Sequence, residues 1–296
     1  MPTDYFAVNG RVVPAAEASI SILDLGFLRG VGAFETFRTY GGHPHALGAH
    51  LRRLWACAAT FDLAPCFSEA DVRRAVTDIL VKSAHAELRV NVVVSPGEHT
   101  AGVFGASRPT WVLIAREVHA PAEEMYTHGV AVTTFDGVRP HPTLKTTNYL
   151  SGKRGLAAAE AVGAHEALYV SPAGHVTEGV TSNVVVLHGT CVTTPNAQCL
   201  AGITRAGLRP VAEAAGLQWT EGPLTRAALA TADEIWITSA VREVLPVVRV
   251  DGQPVGGGVG AGTVGPWAKR LRTAYHQACI EQSRAEAQGF HQAAGG

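Results

Sequence analysis

The chain opens on apolar positions that alternate in short runs around a turn. Phe6-Ala7-Val8 and Arg11-Val12-Val13 flank Asn9-Gly10, a dipeptide suited to the positive φ angles of a two-residue hairpin loop, so a β-hairpin is predicted. The stretch Ala33–Tyr40 is apolar and ends at Gly41-Gly42, which reads as a strand and its stop. Leu47, Leu51, Leu54, Trp55 and Ala58 then recur at helical spacing. A second helix is predicted over 69–82, with Ser68 placed to cap it. Residues 88–95 and 110–115 read as buried strands.

The polar, proline-bearing run His119-Ala120-Pro121-Ala122-Glu123-Glu124 is expected to separate two domains: residues 1–119, a linker over 120–128, and a second domain over 129–296. In the second, strands are expected over 130–135, 167–170, 183–188, 191–194 and 234–238. Helices are expected over 149–162, where Ala and Leu dominate, and over 202–215. Residues 255–265 are too rich in glycine for either element and read as a loop. Gly256-Gly257-Gly258 lacks the Lys-Ser/Thr ending of a phosphate loop. A final helix is predicted over 266–285, with a frayed polar tail from Glu286. There is no internal repeat.

At 296 residues the chain is long enough for two domains of ordinary size. Lys and Arg number 24 against 25 Asp and Glu, and the arginines are scattered, which argues against a nucleic-acid partner. No apolar run is long enough to span a bilayer. Met1-Pro2-Thr3-Asp4-Tyr5 lacks the basic-then-apolar pattern of a secretory signal. The five cysteines are odd in number and match no zinc spacing, and the histidines form no metal-like cluster. No metal is expected, and reduced thiols suit a cytoplasmic protein.

The chain contains four lysines, Lys82, Lys145, Lys153 and Lys269. Lys145 stands between the extended run Arg139-Pro140-His141-Pro142 and an alanine-rich helix. A desolvated lysine amine is a nucleophile for a carbonyl. Glu178 lies in Thr177-Glu178-Gly179, where a carboxylate can hold the protonated ring nitrogen of pyridoxal 5'-phosphate. Ala201-Gly202-Ile203-Thr204-Arg205 opens a helix whose first N–H groups, with the Thr204 hydroxyl, suit a phosphate. Ser239-Ala240-Val241 is a small-residue turn after a buried strand and permits close approach of an anion. Of the neighbours Arg52 and Arg53, Arg53 is the candidate for an inward phosphate contact.

These residues in this order resemble the class IV aminotransferases, the fold-type IV pyridoxal-phosphate enzymes. The resemblance rests on Leu144-Lys145-x-x-Asn148-Tyr149, Thr177-Glu178-Gly-x-x-Ser182-Asn183, Gly202-Ile203-Thr204-Arg205 and Glu243-Val244-x-Pro246-Val247. It implies an α/β (α+β) fold in two domains, a small α/β N-terminal one and a larger pseudo-barrel C-terminal one, and a homodimer. It implies that Lys145 joins the cofactor and moves the substrate proton, that Glu178 pairs with the ring nitrogen and that Tyr149 bonds the phenolic oxygen. Arg53, Ile203, Thr204, Ser239 and Ala240 would hold the phosphate, with Asn183 also among the cofactor contacts.

The implied reaction exchanges an amino group between an amino acid, branched-chain-like L or D, and a 2-oxo acid. Departures leave the substrate open. In the segment Phe27-Leu28-Arg29-Gly30-Val31-Gly32-Ala33-Phe34-Glu35-Thr36, Arg29 stands where the branched-chain enzymes carry tyrosine and Thr36 where they carry glycine. Of their Tyr-x-Arg-Pro strand only Arg89 survives, and no Arg-x-His carboxylate trap of the D-amino acid enzymes follows Val94-Ser95-Pro96-Gly97. A threonine at Thr36 is a feature of aminodeoxychorismate lyases, the alternative reading. Arg29 and Arg89 are the candidates for binding a substrate carboxylate.

Overall fold

The computed structural model describes residues 4–99, 107–257 and 260–294. Met1-Pro2-Thr3, and Gly258 and Val259 of the glycine-rich loop, lie outside them, as do the last two residues of the tail. The chain divides into two compact units. One takes in Met1–His119, Leu144–Asn148 and Cys279–Gly296, the other Ala120–Thr143 and Tyr149–Ala278.

In the first unit β1 (Tyr5–Val8) and β2 (Arg11–Pro14) form the expected hairpin. Asn9 and Gly10 have φ of 50° and 84°, the double positive of a type I′ turn. The Asn9 side chain also accepts from Trp111 N at 2.9 Å, which ties the turn to a neighbouring strand. Next come α1 (Leu25–Arg29), β3 (Ala33–Tyr40), β4 (His43–Pro44), α2 (Leu47–Ala58), α3 (Glu69–Ser83), β5 (Leu88–His99) and β6 (Ser107–Glu117). Ser68 starts α3 with a capping box: its hydroxyl accepts from Asp71 N, and the Asp71 carboxylate accepts from Ser68 N at 2.9 Å.

The six strands pair antiparallel in the order β2-β1-β6-β5-β3-β4. Strand alternation gives this sheet two unlike faces. Ala33 and Phe37, Val90, Val92 and Val94, and Trp111, Leu113 and Ala115 are buried in one core with Leu47, Leu51 and Leu54 of α2 and Val72, Val76 and Ile79 of α3. Each fully buried large side chain there contributes roughly 1.5–3 kcal/mol. The opposite face carries Phe34, Thr36 and Arg38, then Arg89, Asn91 and Val93, then Val112, Ile114 and Arg116, all partly or fully exposed.

The second unit contains α4 (Glu123–Thr127), β7 (Val130–Asp136), α5 (Leu150–Ala161), β8 (Glu166–Val170), β9 (His175–Gly179), β10 (Asn183–His188), β11 (Cys191–Thr194), α6 (Ile203–Ala214), β12 (Gln218–Glu221), β13 (Leu224–Thr225), α7 (Arg226–Ala230), β14 (Glu234–Ser239), β15 (Glu243–Val250), β16 (Gln253–Pro254) and α8 (Pro266–Ala294), whose turns from Cys279 count with the first unit. Its ten-stranded sheet runs β12-β11-β10-β14-β15-β7-β8-β9-β13, with β16 on β15. It is mixed: β7 is parallel to both β15 and β8, and β11 to β12.

Four departures from the expected elements have physical reasons. Within 120–128 the chain forms α4, because Tyr126 is buried and its hydroxyl donates to the Arg242 carbonyl at 3.0 Å. β15 was hidden by Pro246, a residue that argues against a central strand. Its pairing with β7 begins only at Val247, so the proline stands clear of that ladder. β9 was hidden by its length, five residues ending in glycine. The tail is a correction: α8 continues to Ala294 rather than fraying from Glu286, since Ala287 is buried and the Arg73 guanidinium lies 4.9 Å from the Phe290 ring centroid.

Candidate functional site

Lys145 belongs to a short run that extends the first sheet. Phe34 N donates to the Lys145 carbonyl at 2.9 Å, Thr147 N donates to the Gly32 carbonyl at 2.9 Å, and Ala33 and Thr146 form an antiparallel bridge. The Thr147 hydroxyl adds a bond to the Gly30 carbonyl at 3.1 Å. Alternation then decides the rest. Leu144 packs against the core of the first unit, and Lys145 turns to the other face, its Nζ 4.5 Å from the centroid of the Phe34 ring. A cation over an aromatic face is held by about 1 kcal/mol. Gly32 has no room for a side chain: a Cβ would stand 2.9 Å from the Val94 carbonyl and 3.1 Å from the Thr147 hydroxyl.

Thr36 and Arg89 share this face of the sheet as diagonal neighbours. Arg89 is exposed and makes no hydrogen bond or ion pair among the described residues; the residues opposite it are Arg38 and Arg116. No acid stands across the sheet from it. Arg29 ends α1, is exposed, and donates to the Leu28 carbonyl at 3.0 Å.

Arg53 points inward from α2, and Arg52 is exposed. The Arg53 guanidinium grips Glu35 with two bonds, Nε to Oε1 at 2.6 Å and Nη2 to Oε2 at 2.7 Å. His50 Nδ1 lies 2.8 Å from the same Oε2. Glu35 is fully buried. Burial alone raises its pKa, but Arg53 and His50 outweigh that and hold it near 2. His50 is itself pushed below its usual value by burial, so Arg53 supplies the charge and His50 a hydrogen bond.

In the second unit Glu178, 4% exposed, is the fourth of the five residues of β9. Its Oε1 accepts from Arg139 Nε at 2.9 Å and its Oε2 from Leu200 N at 2.9 Å. Asn183 Nδ2 donates to the Leu200 carbonyl at 3.0 Å, so both polar groups of Leu200 are clasped. Gly202 follows, where a Cβ would stand 1.8 Å from Asn183 Oδ1; only glycine fits. It is the N-cap of α6 and supplies no side-chain cap, which leaves the first N–H groups at Ile203 and Thr204 to other acceptors. Thr204 is buried. The fourth residue of that motif, Arg205, serves structure: it is buried and donates to the Pro195 carbonyl at 2.6 Å.

Tyr149 is the N-cap residue of α5, and its hydroxyl donates to the Val180 carbonyl at 3.3 Å. Burial raises its phenol pKa, with Arg139 acting against it, so the hydroxyl stays a donor at neutral pH. Ser239 ends β14 and Ala240 follows it. Beside them, in register with Asn183, the Thr238 hydroxyl is buried and without a hydrogen-bond partner among the described residues. The uncapped helix start, the tight approach at Gly202 and this orphaned hydroxyl fit a phosphate, and a buried carboxylate fits a protonated ring nitrogen. Arg139 was missed by sequence reasoning; its signal was a cation six residues before the lysine, in a run read only for its prolines. Among the described residues no cluster of His, Cys, Asp and Glu is placed to hold a metal ion.

Comparison with known proteins gives the family. The family model "Amino-transferase class IV" matches residues 32–250. The D-alanine aminotransferase of Bacillus licheniformis is 30% identical over 282 residues, 93% of this chain and 97% of that protein. The aminodeoxychorismate lyase of Bacillus subtilis (strain 168) is 29% identical, covering 82% of this chain and 86% of its own. Among solved structures, the PLP-bound form of a hypothetical aminotransferase from Mycobacterium tuberculosis superposes with a TM-score of 0.82 at 25% identity, over 94% of this chain and 99% of that one. The chain belongs to the class IV aminotransferases, pyridoxal-phosphate transaminases of fold type IV.

The Glu35 pair makes a pH prediction. Its folded pKa, about 2 against an ordinary 4.5, means that its stabilisation is complete above about 4.5 and disappears as pH falls through about 2. Glu35→Gln is expected to lower Tm at neutral pH, because it strips the charge partner from Arg53. The gap in Tm between parent and variant is expected to close as pH drops from 4.5 towards 2; a gap that stays constant over that window contradicts the assignment.

Proposed function

We propose that this chain is a cytoplasmic, homodimeric transaminase that moves an amino group between an amino acid and a 2-oxo acid with an acidic side chain. The observation that carries it is Lys145, presented by a strand edge over the Phe34 ring in a chain of this family. When bound, the cofactor supplies an aldehyde for amines and a ring that draws electrons from the substrate Cα. With the cofactor held, Lys145 Nζ would be the base that takes the proton from the substrate Cα and, in the second half reaction, the acid that returns it. Glu178 would keep the ring nitrogen protonated, its carboxylate oriented by the bond with Arg139. Tyr149 would give the phenolic oxygen the one O–H that the Val180 carbonyl otherwise receives. The N–H groups of Ile203 and Thr204, with Ser239, Ala240 and Arg53, would hold the phosphate; Asn183 would act through Leu200, setting the entry to α6. Borohydride reduction of the cofactor-loaded protein, digestion and mass spectrometry are expected to find the pyridoxyl tag on Lys145 and Lys145→Ala to lack it; a tag on another residue sinks the reading.

The acidic side chain is inferred from the arginines. Like charges placed directly opposite destabilise a sheet, and Arg38, Arg89 and Arg116 form such a row with Arg89 unpartnered among the described residues. A guanidinium in that state suits a second carboxylate. Arg89→Leu is expected to raise KM for 2-oxoglutarate about tenfold or more, a loss of about 1.4 kcal/mol, and to leave KM for pyruvate unchanged. If Arg29→Leu does this instead, recognition belongs to Arg29. Thr36 keeps aminodeoxychorismate lyase as the second reading, and pyruvate release from aminodeoxychorismate without an amino acceptor would select it.

The homodimer is supported by a run of exposed apolar side chains in the first unit: Ile20 at 48%, Ile22 at 73%, Leu23 at 58% and Phe27 at 68%. Such a patch marks an interaction surface more often than a bare exterior. Leu23→Glu with Phe27→Glu is expected to shift the mass measured by light scattering from two chains to one. The five free cysteines fit a reducing compartment.

A further inference from the structure

Glu166 opens β8 with no exposed surface, and its carboxylate gathers four donors. Oε1 accepts from Thr181 N at 3.0 Å. Oε2 accepts from the Thr181 hydroxyl at 2.8 Å, the Ser182 hydroxyl at 3.2 Å and Arg242 Nη1 at 3.0 Å. Arg242 Nη1 also donates to the Thr181 hydroxyl at 2.7 Å. Three of the four donors converge on Oε2, so that oxygen is fully engaged. A buried ion pair seldom stabilises a fold better than apolar residues of the same volume, so the use of one here asks what geometry it sets.

It joins two turns. One is the turn between β9 and β10, where Gly179 N donates to the Ser182 carbonyl at 2.8 Å. At Gly179 a Cβ would stand 2.3 Å from Ser182 Oγ and 3.3 Å from the Glu166 side chain, so this turn is pressed onto the carboxylate. Its Val180 carbonyl receives the Tyr149 hydroxyl, and its Val180 side chain would lie 2.7 Å from a Cβ at Gly155 of α5. The other turn links β14 to β15, pairs Ser239 with Glu243, and carries Ala240 and Arg242. Its Arg242 carbonyl is held from behind by Tyr126.

We propose that Glu166 and Arg242 are positioning residues: their pair holds the Ser239–Ala240 turn in fixed register with the Val180 turn, and so sets the anion-binding backbone against the Tyr149 hydroxyl. The inference rests on the cofactor roles given above to Ser239, Ala240 and Tyr149. Neither Glu166 nor Arg242 need touch the cofactor.

The test uses the full chain and three variants, Arg242→Met, Arg242→Lys and Glu166→Gln, with cofactor affinity of the apoprotein read by absorbance titration alongside kcat, KM and Tm. Arg242→Met is expected to weaken cofactor binding about tenfold, as loss of a buried charge-assisted bond does, and to raise KM for the amino donor more than it lowers kcat. Arg242→Lys is expected to restore most of the affinity, because it keeps a cation for Glu166, and Glu166→Gln to fall between. If Arg242→Met does not fold, the other two variants carry the test through the same affinity and KM readouts. Lower Tm with unchanged affinity and KM in the folded variants overturns the proposal and leaves the pair as structure alone. A parent chain that takes up no cofactor overturns the functional reading itself; a parent that binds it and is matched by the variants overturns only this inference.

Discussion

Two backbone hydrogen bonds decide how Lys145 is presented. Phe34 N to the Lys145 carbonyl and Thr147 N to the Gly32 carbonyl turn five residues far along the chain into one more strand beside β3. In a strand, neighbours face opposite ways. The pairing therefore sends Leu144 into the apolar core and Lys145 to the face of Phe34, Thr36 and Arg89. A slip of one residue would exchange them, burying an amine and exposing a leucine. The register is thus enforced by the cost of a misplaced apolar side chain as much as by the hydrogen bonds themselves.

The second unit uses a different device, a buried carboxylate that accepts main-chain N–H groups, and uses it three times. Glu178 takes Leu200 N ahead of α6. Glu166 takes Thr181 N in the turn before β10. Glu234, also buried, takes Trp267 N and Ala268 N in the first turn of α8, with Trp236 Nε1 as a further donor. A glycine stands where space is short at each place: a Cβ at Gly202 would lie 1.8 Å from Asn183 Oδ1, one at Gly179 2.3 Å from Ser182 Oγ, and one at Gly265 2.2 Å from the Glu234 carboxylate itself. A buried carboxylate without donors would cost several kcal/mol, so these segments have little freedom to shift. The turns and helix starts named as cofactor contacts are set by the acids behind them.

Much of the fold was legible in the chain. Leu47, Leu51 and Leu54 named the buried stripe of α2, Asn9-Gly10 named its turn, and Ser68 its cap, because each expresses a local rule. β15 and the end of α8 were not legible: Pro246 is tolerated only through where β7 begins to pair, and Phe290 meets the guanidinium of Arg73, a residue of another helix. The candidate site divides the same way. Lys145, Glu178, Asn183 and the α6 start were named from motif spacing. Arg139 was not, since nothing local announces that a guanidinium will meet a carboxylate 39 residues on. Nor could spacing say that Arg53 is bound to Glu35, or that Arg89 looks across at two other arginines and no acid.

The residue order by itself therefore determined the helical stripes, the turns, the family and the candidate amine and acid, all of them written within a few neighbouring positions. Tertiary structure alone decided which face Lys145 takes, which cation meets Glu178, and which acids pin the turns proposed to hold the phosphate. These depend on strand register and on donors and acceptors brought together from distant positions, and a hydrogen bond of about 3 Å carries no trace in the linear spacing of the residues that make it.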